Sequence, residues 1–121
     1  MTGIHHIAIR VSDCALSAQF YEGAFALREI SRVERDGELR AVWLQAGGAV
    51  LMLERSVRGE GPNSGSGHVL IFSVSDLAAA EDRFKQFGVR VFDRTTSTLY
   101  VQDPDGHRAG VSEHRFDGLI A

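Results

Sequence analysis

The sequence predicts an α+β fold made of two successive modules, each with the element order βαβββ. Three observations carry this prediction. The tripeptide Val11-Ser12-Asp13 recurs unchanged as Val74-Ser75-Asp76, 63 positions later. Each copy ends a strand-like segment and precedes a helical pattern. Three further strand-like segments follow each helical pattern, so the chain reads as a duplicated unit.

The first module is expected over about residues 4–57 and opens with the strand-like segment 7–13, "IAIRVSD". A side-chain oxygen of Ser12 or Asp13 is predicted to cap the helix that follows. The apolar residues at helical spacing on that helix are Leu16, Phe20 and Ala24. Three strand segments follow, at 27–33, 38–45 and 49–54, with the turn "AGG" before the last.

The second module is expected over about residues 68–114 and repeats this plan. Ser75 or Asp76 is predicted to cap its helix, and Gly88 to end it. Its apolar residues at helical spacing are Leu77, Ala80, Phe84 and Phe87. Strands are predicted at 89–93, 97–102 and 108–114, with the turn "DPDG" at 103–106. Proline fixes one backbone angle of this turn, and glycine permits its left-handed residue.

Size and composition place the chain among single globular domains, here residues 1–121. A Gly- and Ser-rich linker, about 58–67, joins the modules, and a short tail covers 115–121. The hydrophobic fraction of 44% suffices for a core. The net charge of −3 and the scattered basic residues give no reason to expect a nucleic-acid partner. Each module alone is small for an independent core, so the two should pack together, within one chain or exchanged between two.

The location is expected to be the cytoplasm, away from membranes. No apolar run approaches the roughly 18 residues of a membrane span. No charged stretch followed by an apolar one stands at the N-terminus, so we expect no secretory signal. Cys14 is the only cysteine, which excludes an internal disulfide and fits a reducing compartment.

The two modules, a His-Ile strand leading to Val-Ser-Asp, "FYEGAFAL" after the first helix and "DPDGHR" near the end together resemble the vicinal oxygen chelate superfamily. This superfamily includes glyoxalase I, bleomycin and fosfomycin resistance proteins, and extradiol dioxygenases. The resemblance covers about residues 4–114. It implies a cup formed by a curved mixed sheet, a small-molecule ligand and a homodimer. The reaction does not follow from the fold, because such cups host many functions.

In the metal-binding members that the chain resembles, four ligands come from the head of the first strand and the last strand of each module. These positions fall here on His6, Met52, Val69 and Gly110. A thioether, an isopropyl group and a hydrogen atom cannot replace imidazole and carboxylate for a hard or borderline divalent ion. The resemblance therefore implies no metal at the usual site and no other cofactor.

Side-chain alternation along the strands tests whether a displaced metal site survives. His6, Ala8 and Arg10 are predicted to share the cup face, whereas His68 starts on the opposite face. The same alternation groups Val50 with Met52 and Glu54, and Gly110 with Ser112 and His114. A divalent metal held by His6, Glu54 and His68 would require a distorted strand. Rescue of the site by His68 or His114 stays open at this level.

Without a metal, the cup face becomes an apolar wall with a few polar groups, as small-molecule sites usually are. Trp43 and Tyr100 are equivalent in the repeat, and the resemblance implies that aromatic residues at these positions face the cavity. An aromatic ligand can stack on them, and Arg10 can bind an anion. The predicted ligand-binding residues are His6, Arg10, Trp43, Met52, Glu54, Tyr100 and Ser112.

The function favoured by this reasoning is metal-free binding of an apolar or aromatic small molecule, as in the bleomycin resistance proteins that the chain resembles. The alternative is a metal-dependent lyase, isomerase, thiol transferase or dioxygenase with the displaced ligands. An interaction or regulatory dimer with a closed cup, and a metal-free enzyme with His6 as general base, are further hypotheses. The sequence assigns no catalytic residue and leaves open whether the chain is an enzyme.

Overall fold

The computed structural model describes residues 3–58 and 67–117. The chain divides into two compact units, Met1–Gly65 with Asp103–Gly106, and Ser66–Gln102 with His107–Ala121. Each unit contains one helix and one four-stranded mixed sheet, which confirms the α+β class and the two βαβββ modules. Most of the predicted linker and the end of the predicted tail lie outside the described residues. The single-domain assignment stays a prediction.

The first unit follows the predicted element order closely. Its elements are β1 (His6–Arg10), α1 (Cys14–Phe25), β2 (Arg28–Arg35), β3 (Glu38–Ala46) and β4 (Ala49–Glu54). The strand order is β1-β4-β3-β2, and β1 pairs with β4 in parallel while the other pairs are antiparallel. The parallel pair requires a crossover between the first and last strands, and α1 supplies part of it.

One face of the first sheet forms the core of this unit. The strand register places Ile9 beside Leu53, and Leu53 beside Val42. Leu51 and Leu44 form the neighbouring pair on the same face. All five side chains are buried, so the predicted alternation of β1 and β4 is confirmed for this face.

Helix α1 packs on the first sheet through a different stripe from the predicted one. Asp13 caps the helix by accepting a hydrogen bond from the Leu16 backbone N–H at 3.0 Å. Leu16, one of the apolar residues at helical spacing, is 50% exposed. The buried residues are Cys14, Ser17, Ala18, Tyr21 and Ala24. Their spacing of three and four is also helical, and it selects smaller side chains that bring the helix close to the sheet.

The turn at residues 103–106, here called the aspartate turn, belongs to the first unit. Tyr21 donates a hydrogen bond from its hydroxyl to Asp103 Oδ2 at 2.8 Å, and both side chains are buried. The Ser12 backbone N–H donates to Asp105 Oδ1 at 3.1 Å, and the Ser17 hydroxyl donates to Asp105 Oδ2 at 3.4 Å. Two carboxylates thus satisfy polar groups of α1 and of its N-terminal end.

The second unit contains shorter elements. They are β5 (Leu70–Ser73), α2 (Leu77–Gln86), β6 (Asp93–Arg94), β7 (Thr98–Gln102) and β8 (Arg108–Ser112). The strand order β5-β8-β7-β6 repeats that of the first sheet, again with a parallel pair of first and last strands. Leu99, Val101, Ala109 and Val111 are buried on one face of this sheet.

Helix α2 ends as predicted, but the strand after it is shorter than predicted. Asp76 caps the helix by accepting from the Ala79 N–H at 3.1 Å, and Gly88 has a φ of +69°. The Val89 N–H then donates to the Phe84 carbonyl at 2.8 Å. This bond holds residue 89 in the helix terminus, and the strand that follows, β6, comprises only Asp93–Arg94 instead of the predicted 89–93. In the part of the chain that the structure describes, neither helix is long and apolar enough to cross a membrane.

Candidate functional site

The outer face of the first sheet, opposite its core, carries five of the predicted ligand-binding residues. The register aligns Ala8, Met52, Trp43 and Ser31 across the four strands. His6 lies in the next row beside Val50, and Arg10 lies beside Glu54. Trp43 and Met52 are therefore direct cross-strand neighbours on one face. This adjacency gives an apolar, polarizable surface with imidazole, guanidinium and carboxylate groups in the rows on either side.

A hollow of about 300 Å³ opens on this face, at the end of the sheet where β4 leaves it. His6, Ala8, Met52 and Glu54 contribute to its wall, together with Val57 and Arg58 from the segment after β4. The structure thus brings His6, Met52 and Glu54 to one hollow. It carries an imidazole, a carboxylate and a guanidinium around a small apolar floor, which suits a polar group more than a ring.

Trp43 contains the buried side-chain polar atom that needs explanation. Its ring is partly exposed, but the indole nitrogen Nε1 is buried and has no hydrogen-bond partner within residues 3–58 and 67–117. An unpaired buried N–H costs about 1–3 kcal/mol relative to a paired one. A ligand with an acceptor oxygen at this position would recover that free energy.

His5 and His6 interact with each other at the head of β1. Their Nδ1 atoms are 2.8 Å apart, and their rings meet edge to face with centroids 5.1 Å apart. One imidazole donates and the other accepts, so this contact requires at least one neutral ring. Both side chains are exposed.

The outer face of the second sheet repeats these rows with other side chains. Ile71, Gly110, Tyr100 and Asp93 are aligned across its four strands. Gly110 has no room for a side chain, because a Cβ there would clash with the Leu99 carbonyl oxygen and lie 3.1 Å from Ile71 Cδ1. The position where the resemblance expects a carboxylate ligand is therefore closed to every residue except glycine unless the backbone moves.

Two hollows flank Tyr100 on this face. The hydroxyl hollow has a volume of about 330 Å³ and is lined by Ile71, Thr98, Tyr100, Ser112, His114 and Phe116. The arginine hollow has about 360 Å³ and is lined by Val69, Phe92, Asp93, Tyr100, Gln102 and Arg108. Tyr100 and Ser112 were predicted ligand-binding residues, and the structure brings them to one hollow. Each volume is at the low end of the range for small-molecule sites.

Sequence reasoning missed Phe92, Arg108 and Phe116 as lining residues. Alternation along β8 gives the one available signal, because Arg108 lies two and four residues before Gly110 and Ser112 on the same face. Phe92 and Phe116 stand outside the strands, where alternation gives no direction. Both are more than half exposed.

Cys14 is excluded as a reactive thiol by its surroundings. It is buried, and its Sγ lies 3.8 Å from the Leu53 carbonyl oxygen. Burial raises the pKa of this thiol above its ordinary value of 9.0. A protonated, buried thiol is a packing group.

The residues at the four expected metal-ligand positions do not fit a divalent metal. His6 offers imidazole, Met52 offers a thioether and Val69 offers no donor, while Gly110 excludes any side chain. Within the described ranges 3–58 and 67–117, no three His, Cys, Asp or Glu side chains are grouped as a metal site requires. His68 is exposed and precedes β5 in the second unit.

Comparison with protein families gives one match that spans most of the chain. The model of the Glyoxalase/Bleomycin resistance protein/Dioxygenase superfamily matches residues 3–111. This range includes both βαβββ modules described above.

Comparison with individual proteins gives relatives of different named activities. The chain is 27% identical over 116 residues to the metallothiol transferase FosB of Bacillus licheniformis, covering 88% of this chain and 71% of that protein. A lactoylglutathione lyase from Agrobacterium tumefaciens superposes with a TM-score of 0.73 and 23% identity, covering 98% of each chain. TnmS3, an antibiotic binding protein from Streptomyces sp. CB03234, superposes with a TM-score of 0.71 and 18% identity, covering 93% and 95%. The structural likenesses establish the fold alone.

Proposed function

This chain belongs to the Glyoxalase/Bleomycin resistance protein/Dioxygenase superfamily, and we propose that it binds an apolar or aromatic small molecule without the usual metal site. The observation that carries this proposal is Gly110, which stands at an expected ligand position and has no space for a Cβ. Met52 and Val69 at two further positions supply no oxygen or nitrogen donor. A hard or borderline divalent ion would find one suitable side chain, His6, among the four.

The exposed sheet faces support binding of an aromatic ligand. Trp43 lies beside Met52 on the first sheet, and Tyr100 separates the two hollows on the second. Planar rings bind such surfaces through stacking and burial of apolar area. The Trp43 N–H has no acceptor among the described residues, so a ligand oxygen would satisfy it once the side chains that cover it move.

Ligand titration tests this proposal directly. Trp43 is the only tryptophan, so its fluorescence reports on the outer face of the first sheet alone. We expect some members of a panel of aromatic compounds to raise the melting temperature and to change this emission. Trp43→Phe removes the optical signal, and melting curves then show whether binding persists. A panel of several hundred compounds without any stabilisation at concentrations up to millimolar would contradict ligand binding.

Metal analysis of protein purified without chelator tests the second part of the proposal. We expect far less than one equivalent of Zn, Mn, Ni or Fe per chain, and no change in melting temperature on adding chelator. One tightly held equivalent per chain would overturn the proposal. Gly110→Glu provides a further check, because restoring the carboxylate at a closed position should lower stability without creating metal affinity.

A metal-dependent reaction with displaced ligands is the second candidate function. The observation in its favour is that His6 and Glu54 line the same hollow of the first unit. His68 is the third predicted ligand. The His6→Ala variant tests this candidate function. If the displaced ligands hold a metal, the variant should lose both metal content and turnover. Unchanged metal content in the variant would rule out this function.

Homodimerisation and a cytoplasmic location complete the proposal. Leu16, Ile30 and Phe87 lie outside the three hollows and are each about half exposed, at 50%, 48% and 55%. Burial of such side chains against a second copy would remove apolar surface from water. Light scattering is expected to give twice the chain mass of 13.2 kDa.

Cys14 as the only cysteine suits a reducing compartment, and cell fractionation tests this location.

A further inference from the structure

The outer face of the second sheet carries a pair of hydroxyl groups with one hydrogen left to donate. The His114 backbone N–H donates to Ser112 Oγ at 3.2 Å, and Thr98 Oγ1 lies 2.8 Å from the same oxygen. The two hydroxyl groups have two hydrogens in total, and one of them is donated in the bond between the two groups. In the described part of the chain, neither hydroxyl has another partner. The remaining hydrogen is available to an acceptor atom, and none of the described residues supplies one.

The other end of this face carries an arginine that has no partner among the described residues. Arg108 lines the arginine hollow, and its guanidinium makes no ion pair or hydrogen bond with any residue of 3–58 or 67–117. Asp93 lines the same hollow, and its Oδ1 accepts from the Arg94 N–H at 2.8 Å. Arg90 lies over the Phe92 ring at 4.7 Å and adds positive charge at the margin. Arg108 forms no ion pair with a carboxylate among the described residues, so its guanidinium can bind an anion in this hollow.

The strand register sets the distance between these two features. Thr98 is paired with Ser112, and Gln102 is paired with Arg108, four residues further along β7. At about 3.4 Å per residue, four steps correspond to about 14 Å. Tyr100 lies midway, opposite Gly110, so no side chain of its partner residue on β8 covers the ring. The spacing fits a molecule of two or three linked rings.

We propose that this face binds an elongated aromatic anion, with a ring on Tyr100, a carbonyl-type acceptor at the Ser112–Thr98 hydroxyl pair and its anionic group at Arg108. This inference rests on the proposed ligand-binding function and specifies the class of ligand. Carboxylate, sulfonate and phosphate share the chemistry that Arg108 recognises. No carboxylate side chain stands among the described residues that line the hydroxyl hollow, so an acceptor oxygen there meets no negatively charged group.

Three biphenyl probes test the assignment by calorimetric titration. The first probe carries an acetyl group at one end and a carboxylate at the other. The second replaces the carboxylate with a neutral carboxamide, and the third lacks the acetyl group. We expect the first probe to bind about tenfold more tightly than the second and about fivefold more tightly than the third. Tyr100→Leu should weaken all three.

Protein variants assign each preference to its residue. Arg108→Gln should abolish the preference for carboxylate over carboxamide, and Arg108→Lys should retain part of it. Arg35→Gln is the matched control, because it removes an exposed arginine of β2 in the first unit. The double variant Thr98→Val with Ser112→Ala should remove the acetyl preference and leave binding of the third probe unchanged. All variants are compared by circular dichroism to confirm that they fold.

The outcomes separate this inference from the proposed function. Equal affinity for carboxylate and carboxamide, an undiminished preference in Arg108→Gln, or no binding of the first probe at millimolar concentration overturns the elongated-anion assignment. The proposed function survives these results if other aromatic compounds in the panel still bind. Failure of the entire panel overturns both.

Discussion

The two units share one element order but differ in how deeply they bury their residues. In the first unit the buried apolar side chains come from both the helix and the sheet: Ile9, Val11, Cys14, Ala18, Tyr21, Ala24, Ala41, Val42, Leu44, Leu51 and Leu53. In the described part of the second unit they are Phe84, Leu99, Val101, Ala109 and Val111. Phe84 is the single buried residue of α2. The first unit therefore has the larger reserve of hydrophobic stabilisation.

The outer faces of the two sheets also differ, because equivalent positions of the repeat carry different side chains. Glu54 on the first sheet corresponds by the repeat to Ser112 on the second, and Val50 corresponds to Arg108. Met52 corresponds to Gly110, so the position beside Tyr100 carries no side chain on the second sheet. The first unit thus supplies the deeper core, whereas the second presents two hollows beside Tyr100 on its outer face.

The largest expected effect comes from Phe84, because α2 depends on this one buried side chain. Phe84→Ala should lower the free energy of unfolding by about 3–5 kcal/mol. Hydrogen exchange should rise first in the amides of α2, β7 and β8 of the second unit. Phe87→Ala provides the control, since Phe87 ends the same helix with its ring 55% exposed. An equal loss in both variants would contradict the assigned role of Phe84.

Substitution of Gly110 is expected to cause the second largest loss of stability. Gly110→Ala should cost about 1–3 kcal/mol, because the added Cβ meets the backbone carbonyl of Leu99, which cannot move without distorting β7. Gly48→Ala is the matched control, since a Cβ at that turn position meets nothing within 4 Å. Chemical denaturation of both variants makes the comparison. A tolerated Gly110→Ala would reopen this position to a side chain and weaken the case against the metal site.

The fold could be predicted from the sequence because the repeat indicates both the module plan and the boundaries of its elements. Val-Ser-Asp marks a strand end and a helix cap in each module, and Asp13 and Asp76 are the observed caps. Alternation in β1 and β4 then separated the core face from the outer face. The apolar helical spacing did not identify the buried stripe of α1, because Cys14, Ala18 and Tyr21 are buried whereas Leu16 is half exposed. Both stripes have helical spacing, and only packing against the sheet selects between them.

The candidate site could be predicted only in part. Strand periodicity placed Met52 on the outer face, whereas the direction of Trp43 and Tyr100 came from the resemblance. Phe116 follows the last strand and Phe92 precedes β6, so strand periodicity could not predict the direction of their side chains. Steric closure at Gly110 depends on the approach of the Leu99 carbonyl. Such a distance depends on sheet twist and strand register, so the residue type alone does not predict it.

Tyr21 is expected to have a smaller effect at neutral pH. Tyr21→Phe removes the hydrogen bond to Asp103 but leaves that buried carboxylate its second bond, from the Asp105 N–H at 2.9 Å. We expect a loss of about 1 kcal/mol, at the low end for a buried acceptor that loses one partner. Phe20→Leu on the neighbouring, partly buried position serves as a packing control. Unchanged stability in Tyr21→Phe would show that the aspartate turn does not depend on this bond.

The same tyrosine should make stability fall in alkaline solution. Burial, and then the charge and hydrogen bond of Asp103, raise the pKa of Tyr21 well above its ordinary value of 10.0. The folded state therefore holds this proton more tightly than the unfolded state, so its contribution is complete below pH 10 and declines as the pH rises above it. The expected slope is about 1.4 kcal/mol per pH unit. Denaturation between pH 8 and about pH 11 should give a shallower decline for Tyr21→Phe than for the wild type, and parallel curves would show that the tyrosine is not held in its protonated form by the fold.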